Sequence, residues 1–259
     1  GYDTVGQAYG GLMHITGHPD GPPTRTGNAM SDNISAWLGA FATLAAIIYR
    51  NKTGKGQHVD IAQIDTILYT SELGILGAAK DIFHWERIGS GHPIAVVCDL
   101  YQCKDGYVYI IVISESHWAR FCKIIGREDL IDDPRTRTTA VRVENRKFVD
   151  EVVNAYVMDK MVDEVIEALD KEQLVVMPIL NFDQIIKNEH ILERDMVEDV
   201  EHPTLGKFPV YGVGPKFSLT PGKIRMAAPL LGQHNQEVYE NLLDMNQEEI
   251  DNLKERGII

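Results

Sequence analysis

Apolar residues recur at helical spacing most clearly at Ile34, Trp37, Leu38, Phe41, Leu44, Ala45 and Ile48, which predicts one helix over residues 34–49 with a single buried face. Ser31, Asp32 and Asn33, just before it, are all good N-cap types, and Gly54 after it is a C-terminal stop. Upstream, the apolar segment 4–15 is broken by Gly10 and Gly11 and predicts a short helix packed closely through its glycines. Residues 17–23 are punctuated by proline and glycine at nearly every step and predict a rigid loop. Downstream, residues 57–62 alternate and are β-branched enough for a strand, residues 65–79 predict a second apolar helix, and residues 80–93 read as a linker.

Beyond that linker the period changes. Residues 97–103 and 107–113 flank Lys104-Asp105-Gly106, a hairpin signal. Ser114 caps a helix carrying Trp118, Phe121, Cys122 and Ile125 on one face and ending at Gly126, followed by amphipathic helices over 146–156 and 160–169. Residues 175–180 predict a short strand that Pro178 confines to a sheet edge. Strands follow at 197–201 and 207–213, then two closing helices, the last capped by Asn246 with Glu249 three residues on and stopped at Gly257.

Composition changes this picture little. In 259 residues, 44% apolar and 24% charged, there is ample material for one large core or two smaller ones. A formal charge of -13 argues against nucleic acid and anionic membrane surfaces as partners. The longest apolar runs, around residues 41–48 and 108–113, fall short of the roughly 20 residues of a bilayer span. Cys98, Cys103 and Cys122 are odd in number and form no Cys-x-x-Cys pair, so reduced thiols in a cytoplasmic protein are expected, with no cysteine zinc site.

The candidate chemistry centres on Asp32, where a loop turns into the apolar helix. Two readings are open: the carboxylate satisfies free helix N–H groups as an ordinary cap, or its neighbours cap and Asp32 faces a cleft. Gly54-Lys55-Gly56 lacks the Ser or Thr and the upstream glycine of a phosphate loop and reads as a turn. His14 and His18 are four apart, but Gly17 and Pro19 argue against a helix there, and no metal is expected. Gly89-Ser90-Gly91-His92-Pro93 reads as a flexible turn on its own.

Taken in order, Gln7-Ala8, Gly10-Gly11, Thr16-Gly17, Asp20-Gly21-Pro22-Pro23, Asp32, Leu44-Ala45-Ala46, Lys52-Thr53-Gly54-Lys55-Gly56-Gln57 and Asp65 resemble the family III CoA-transferases. The resemblance continues through Gly106-Tyr107-Val108, Asp133-Pro134, Asn188, Arg194-Asp195-Met196, His202-Pro203, Gly206, Pro215, Phe217-Ser218 and Ala228-Pro229-Leu230-Leu231-Gly232 to His234. This CaiB/BaiF group, which also holds the α-methylacyl-CoA racemases, is matched over essentially the whole chain, and Asp32 falls on the family's catalytic aspartate.

The resemblance implies an α/β fold: residues 1–85 as part of a Rossmann-like large domain, 86–185 as a small α+β domain, and 186–259 as a return to the large domain. It implies a transferase moving coenzyme A, as co-substrate, from an acyl-CoA to a small carboxylic acid, with Asp32 as nucleophile. Tyr2 and Asp3 would lie beside the acyl group, with Gly89, Ser90 and Gly91 as a lid. Arg25, Lys52 and Lys55, with Arg50, form the basic cluster expected near Asp32 for the CoA phosphates. An N-terminal Rossmann-like segment of the family is not in this sequence, and the interlocked homodimer is implied for the complete enzyme. Tyr2 stands where the racemases have an acid/base histidine, which disfavours the isomerase alternative. A truncated, non-catalytic acyl-CoA-binding or scaffold protein is the third reading.

Overall fold

The computed structural model describes all of residues 1–259 and shows a mixed α/β chain that divides into two compact units, Gly1–Ile179 and Leu180–Ile259. The first begins with helices α1 (Asp3–Tyr9), α2 (Leu12–Ile15), α3 (Met30–Thr53), α4 (Gln63–Tyr69) and α5 (Gly74–Lys80). It continues with β1 (Cys98–Gln102), β2 (Tyr107–Ile111), α6 (Glu115–Ile124), α7 (Thr139–Glu144), α8 (Arg146–Val157), α9 (Val162–Lys171) and β3 (Val175–Pro178).

The core belongs almost wholly to the second half of this unit. β1, β2 and β3 form an antiparallel sheet in that order, with Tyr101 opposite Val108 and Ile110 opposite Val176. Val108, Ile110 and Val112 alternate inward to meet Trp118, Phe121, Val149, Val153, Val165 and Leu169 from the amphipathic helices, all buried. The hairpin, the Ser114 cap, the stop at Gly126 and the Pro178 edge strand all form as the pattern predicts. Arg142 is fully buried here; its guanidinium donates to the carbonyls of Thr136 (2.7 Å), Ile113 (3.1 Å) and Val96 (3.3 Å) and stands 5.3 Å from the Trp118 ring.

Residues 1–93 are different, and several expectations are corrected there, beginning with the short helix expected over 4–15, which is the pair α1 and α2 on either side of Gly10 and Gly11. Residues 57–62 carry no strand: the segment has no partner to ladder with, and alternation alone does not make a sheet. The single helix expected over 65–79 is two, broken at residues 70–73 where Glu72 turns to φ 49°. Helix α3 runs from Met30 to Thr53 and ends on left-handed Gly54, but its apolar face is not buried. Trp37, Phe41, Leu44 and Ile48 are 67%, 71%, 61% and 56% exposed. At 24 residues, α3 is also long and apolar enough to cross a bilayer, a property shared by core helices of soluble proteins, so the shorter apolar run understated it.

The second unit holds α10 (Phe182–Ile185), α11 (Glu189–Glu193), the antiparallel pair β4 (Val197–His202) and β5 (Gly206–Tyr211), a π-helical turn at Glu237–Leu242, and α12 (Gln247–Glu255). The Asn246–Glu249 capping box forms in both directions, at 3.0 Å and 2.9 Å.

Candidate active site

Building outward from Asp32, the first finding is that it does not cap its own helix. Helix α3 begins at Met30, four residues earlier than the expected start at Ile34, with Ala29 as an N-cap that offers no side-chain bond. The orphan N–H of Ser31 is instead taken by Asp3, whose Oδ1 accepts it at 2.8 Å. The other oxygen of Asp3 accepts from Gln7 Nε2 at 2.7 Å. Gln7, fully buried, holds the approach loop with its remaining groups, donating to Asn28 O (3.3 Å) and accepting from Thr26 N (3.0 Å). Asp32 is thereby left in the first turn of α3, exposed, with its Oδ1 accepting a hydrogen bond from Gln63 Nε2 at the start of α4.

Two glycines make this junction possible. A Cβ on Gly6 would stand 2.0 Å from Ser31 Oγ, and one on Gly10 would stand 2.6 Å from an Ile67 methyl. Helix α1 thus presses glycine-first against α3 and α4. The buried Ser31 hydroxyl has no hydrogen-bond partner.

The other expected residues are placed as follows. Tyr2 is 82% exposed at the start of α1. Asp3 holds backbone and Gln7, so both its oxygens are engaged within the protein. Arg25 lies on the loop leading into α3, its guanidinium 3.4 Å from Thr26 O. Lys52 sits in the last turn of α3, some 20 residues from Asp32 and so about 30 Å away along the axis, and Lys55 follows just past the Gly54 stop. The basic cluster expected beside Asp32 therefore does not form within this chain; sequence proximity across one helix separates its ends rather than joining them.

The glycine loop is tethered at both ends. Gly89, at φ 70°, donates its N–H to Gly17 O at 2.9 Å, and Ser90 O accepts from the Tyr109 hydroxyl at 3.0 Å. Gly91 fits against Asp99 and Arg146, where a Cβ would meet Asp99 Oδ2 at 2.8 Å. Burial raises the Asp99 carboxyl above its usual range, against the opposing pull of the Leu100 amide and Arg146. A cavity of about 490 Å³, with Tyr9, His14, Ile67, Ile75 and Trp85 among its lining, does not include Asp32. No group of three or more His, Cys, Asp or Glu side chains is gathered as for a metal ion.

Residues 1–235 match the family described as CoA-transferase family III. The chain belongs to this family. It is 29% identical over its full length to succinyl-CoA–D-citramalate CoA-transferase of Chloroflexus aurantiacus, spanning 65% of that protein. It is 30% identical over its full length to the mouse succinyl-CoA:glutarate CoA-transferase, spanning 59% of it. Formyl-CoA:oxalate CoA-transferase of Streptomyces avermitilis is 32% identical, again over the whole chain and 67% of the relative. A CaiB/BaiF family protein of Brucella suis superposes with a TM-score of 0.80 at 25% identity, covering 93% of this chain and 63% of that one. The chain thus spans about three fifths to two thirds of the proteins it resembles. Gln63 is the contact that sequence reasoning missed, since one glutamine at a helix start carries no signal by itself. Gly6 and Gly10, at helical spacing, did carry one.

Proposed function

We propose that the intact protein is a CoA-transferase moving coenzyme A from an acyl-CoA donor to a small carboxylic acid, with Asp32 as its nucleophile. The observation that carries this reading is the cap supplied by Asp3. Because Ser31 N is satisfied from another helix, the Asp32 carboxylate is spared that duty and keeps Oδ2 for chemistry. Attack of Oδ2 on the thioester carbonyl breaks the C–S bond, releasing the CoA thiolate and leaving a mixed anhydride on Asp32. The thiolate then attacks Cγ of Asp32, the donor acid departs as its carboxylate, and an aspartyl-CoA thioester remains. The acceptor carboxylate runs the sequence backwards. A bound thiolate at an effective molarity of about 10⁵ M or more outcompetes water, so retention of CoA protects the anhydride.

The relatives' names support small acids such as succinate, glutarate and oxalate as the substrate class. The exposed apolar face of α3 supports burial against further chain or a second copy, as in an interlocked homodimer, and the three buried free thiols support a cytoplasmic, reducing setting. Arg25, at the loop before Asp32, is the basic residue of this chain best placed for a CoA phosphate. The resemblance supports Gly89, Ser90 and Gly91 as a lid, although the Gly89 N–H is held by Gly17 O and the Gly91 N–H by Ile88 O.

The test is mass spectrometry of the intact protein mixed with succinyl-, formyl- and acetyl-CoA. A CoA-mass adduct on the peptide carrying Asp32, absent from Asp32→Ala, is expected. Transfer activity that survives Asp32→Ala would overturn the assignment.

A further inference from the structure

The contact that no part of the sequence foretold lies on the nucleophile itself. Gln63 Nε2 points at Asp32 Oδ1, and the carboxylate, which only accepts, fixes the amide with its NH₂ toward Asp32. The opposite end of that amide, Oε1, lies against Gly1, where a Cβ would come within 3.1 Å, and the Gln63 Cβ sits 3.2 Å from where a Cβ on Gly6 would be. The side chain is therefore clamped between the start of α1 and the first turn of α3. Gln63 is also the first residue of α4, so its backbone is set by a regular helix whose Ile67 packs under Gly10.

We infer that Gln63 is a catalytic hydrogen-bond donor that selects Oδ2 of Asp32 as the attacking oxygen and stabilises charge on Oδ1 when the CoA thiolate, and later the acceptor carboxylate, attacks Cγ. This rests on the assignment of Asp32 as nucleophile. In the resting carboxylate the negative charge is shared by both oxygens, and a donor on Oδ1 holds the plane of the group and leaves Oδ2 free. Once Oδ2 is acylated, Oδ1 becomes the carbonyl oxygen of the anhydride. Thiolate addition at Cγ moves the π electron pair onto Oδ1, and its return breaks the Cγ–Oδ2 bond, so that the donor carboxylate leaves carrying Oδ2 and the bond pair while Cγ stays bonded to sulfur. The same oxygen carries the charge when the acceptor carboxylate displaces sulfur. A donor already in place meets that charge without reorganisation, and loss of one such donor costs on the order of 10²- to 10³-fold in turnover.

The role separates the two halves of the reaction, and the experiment uses that. In the intact protein, with whichever acyl-CoA labels Asp32, Gln63→Leu is expected to lower transfer by roughly 10- to 1,000-fold. The first release of CoA thiol should slow less, so the fraction of acyl-CoA hydrolysed rather than transferred rises. Gln63→Glu, which sets a second carboxylate against Asp32, is expected to shift the acid limb of kcat/KM to higher pH, a change that loss of packing alone does not produce. Parent-like turnover, hydrolysis ratio and pH profile in both variants would overturn the inference while leaving Asp32 standing. So would an equal slowing of both steps that tracks a fall in thermal stability with no movement of the pH limb. A parent protein that forms no adduct with any ester of the panel removes the nucleophile and this role with it.

Discussion

At the scale of single residues, the site depends on a division of labour between carboxylates. Asp3 caps and Asp32 is released, so Asp3→Ala is expected to cost about 1 kcal/mol through the lost cap and more through the freed Gln7, read as a lower denaturation midpoint. Gly6→Ala would drive a methyl into Ser31 and is expected to destabilise by roughly 1–3 kcal/mol and to displace the first turn of α3, seen as reduced labelling of Asp32. Away from the site, Arg142→Met strands buried carbonyls and is expected to cost on the order of 3 kcal/mol or more in a chemical denaturation curve. Two carboxyls set opposite pH trends. The Arg135 guanidinium and amide hold Asp133 down at about 2, so its contribution is present above the ordinary carboxylate range and lost as pH falls toward 2. Burial raises Asp150 despite the 2.8 Å hydrogen bond from Tyr101, so its contribution is present at low pH and lost as pH rises through its raised value. Asp150→Asn keeps an acceptor for Tyr101 and is expected to gain stability over the parent as pH rises above 4, with no gain at pH 3.

At the scale of elements, the chain's patterns were readable wherever a helix or strand buries its own face within these residues. The hairpin, α6, α8, α9 and the capped α12 follow from periodicity and caps, because the partners that cover them lie within the same stretch of sequence. Helix α3 shows where that reasoning stops. Its apolar period is real and its Gly54 stop is in place, yet no residue of this chain covers Trp37 or Phe41, so the period announced a buried face that these residues do not bury. Residues 57–62 fail for a related reason, since extended backbone becomes a strand only beside another. The position of Asp32 was legible, but its freedom was not, because the cap that frees it comes from Asp3, 28 residues before Ser31, through a contact with no sequence signature. A polypeptide of these 259 residues alone is expected to bind a hydrophobic dye strongly, and Phe41→Lys with Leu44→Lys to reduce that binding several-fold. Dye binding equal in the two would show the face to be covered.

At the scale of the whole molecule, cohesion is distributed unevenly. The buried cluster runs from Val96 to Val176, while residues 1–93 contribute Ile67 as their buried apolar side chain. A fragment of residues 94–179 is therefore expected to unfold cooperatively by itself, with Trp118 as its single tryptophan reporting the transition in fluorescence. A gradual, non-cooperative change would show that the helices before it are needed. The loop at Gly89 joins these unequal parts, fastened to Gly17 on one side and to the β2 tyrosine on the other. Such a fastening turns one amide into a clock: the rate at which the Gly89 proton trades for deuterium counts how often the loop lets go of Gly17.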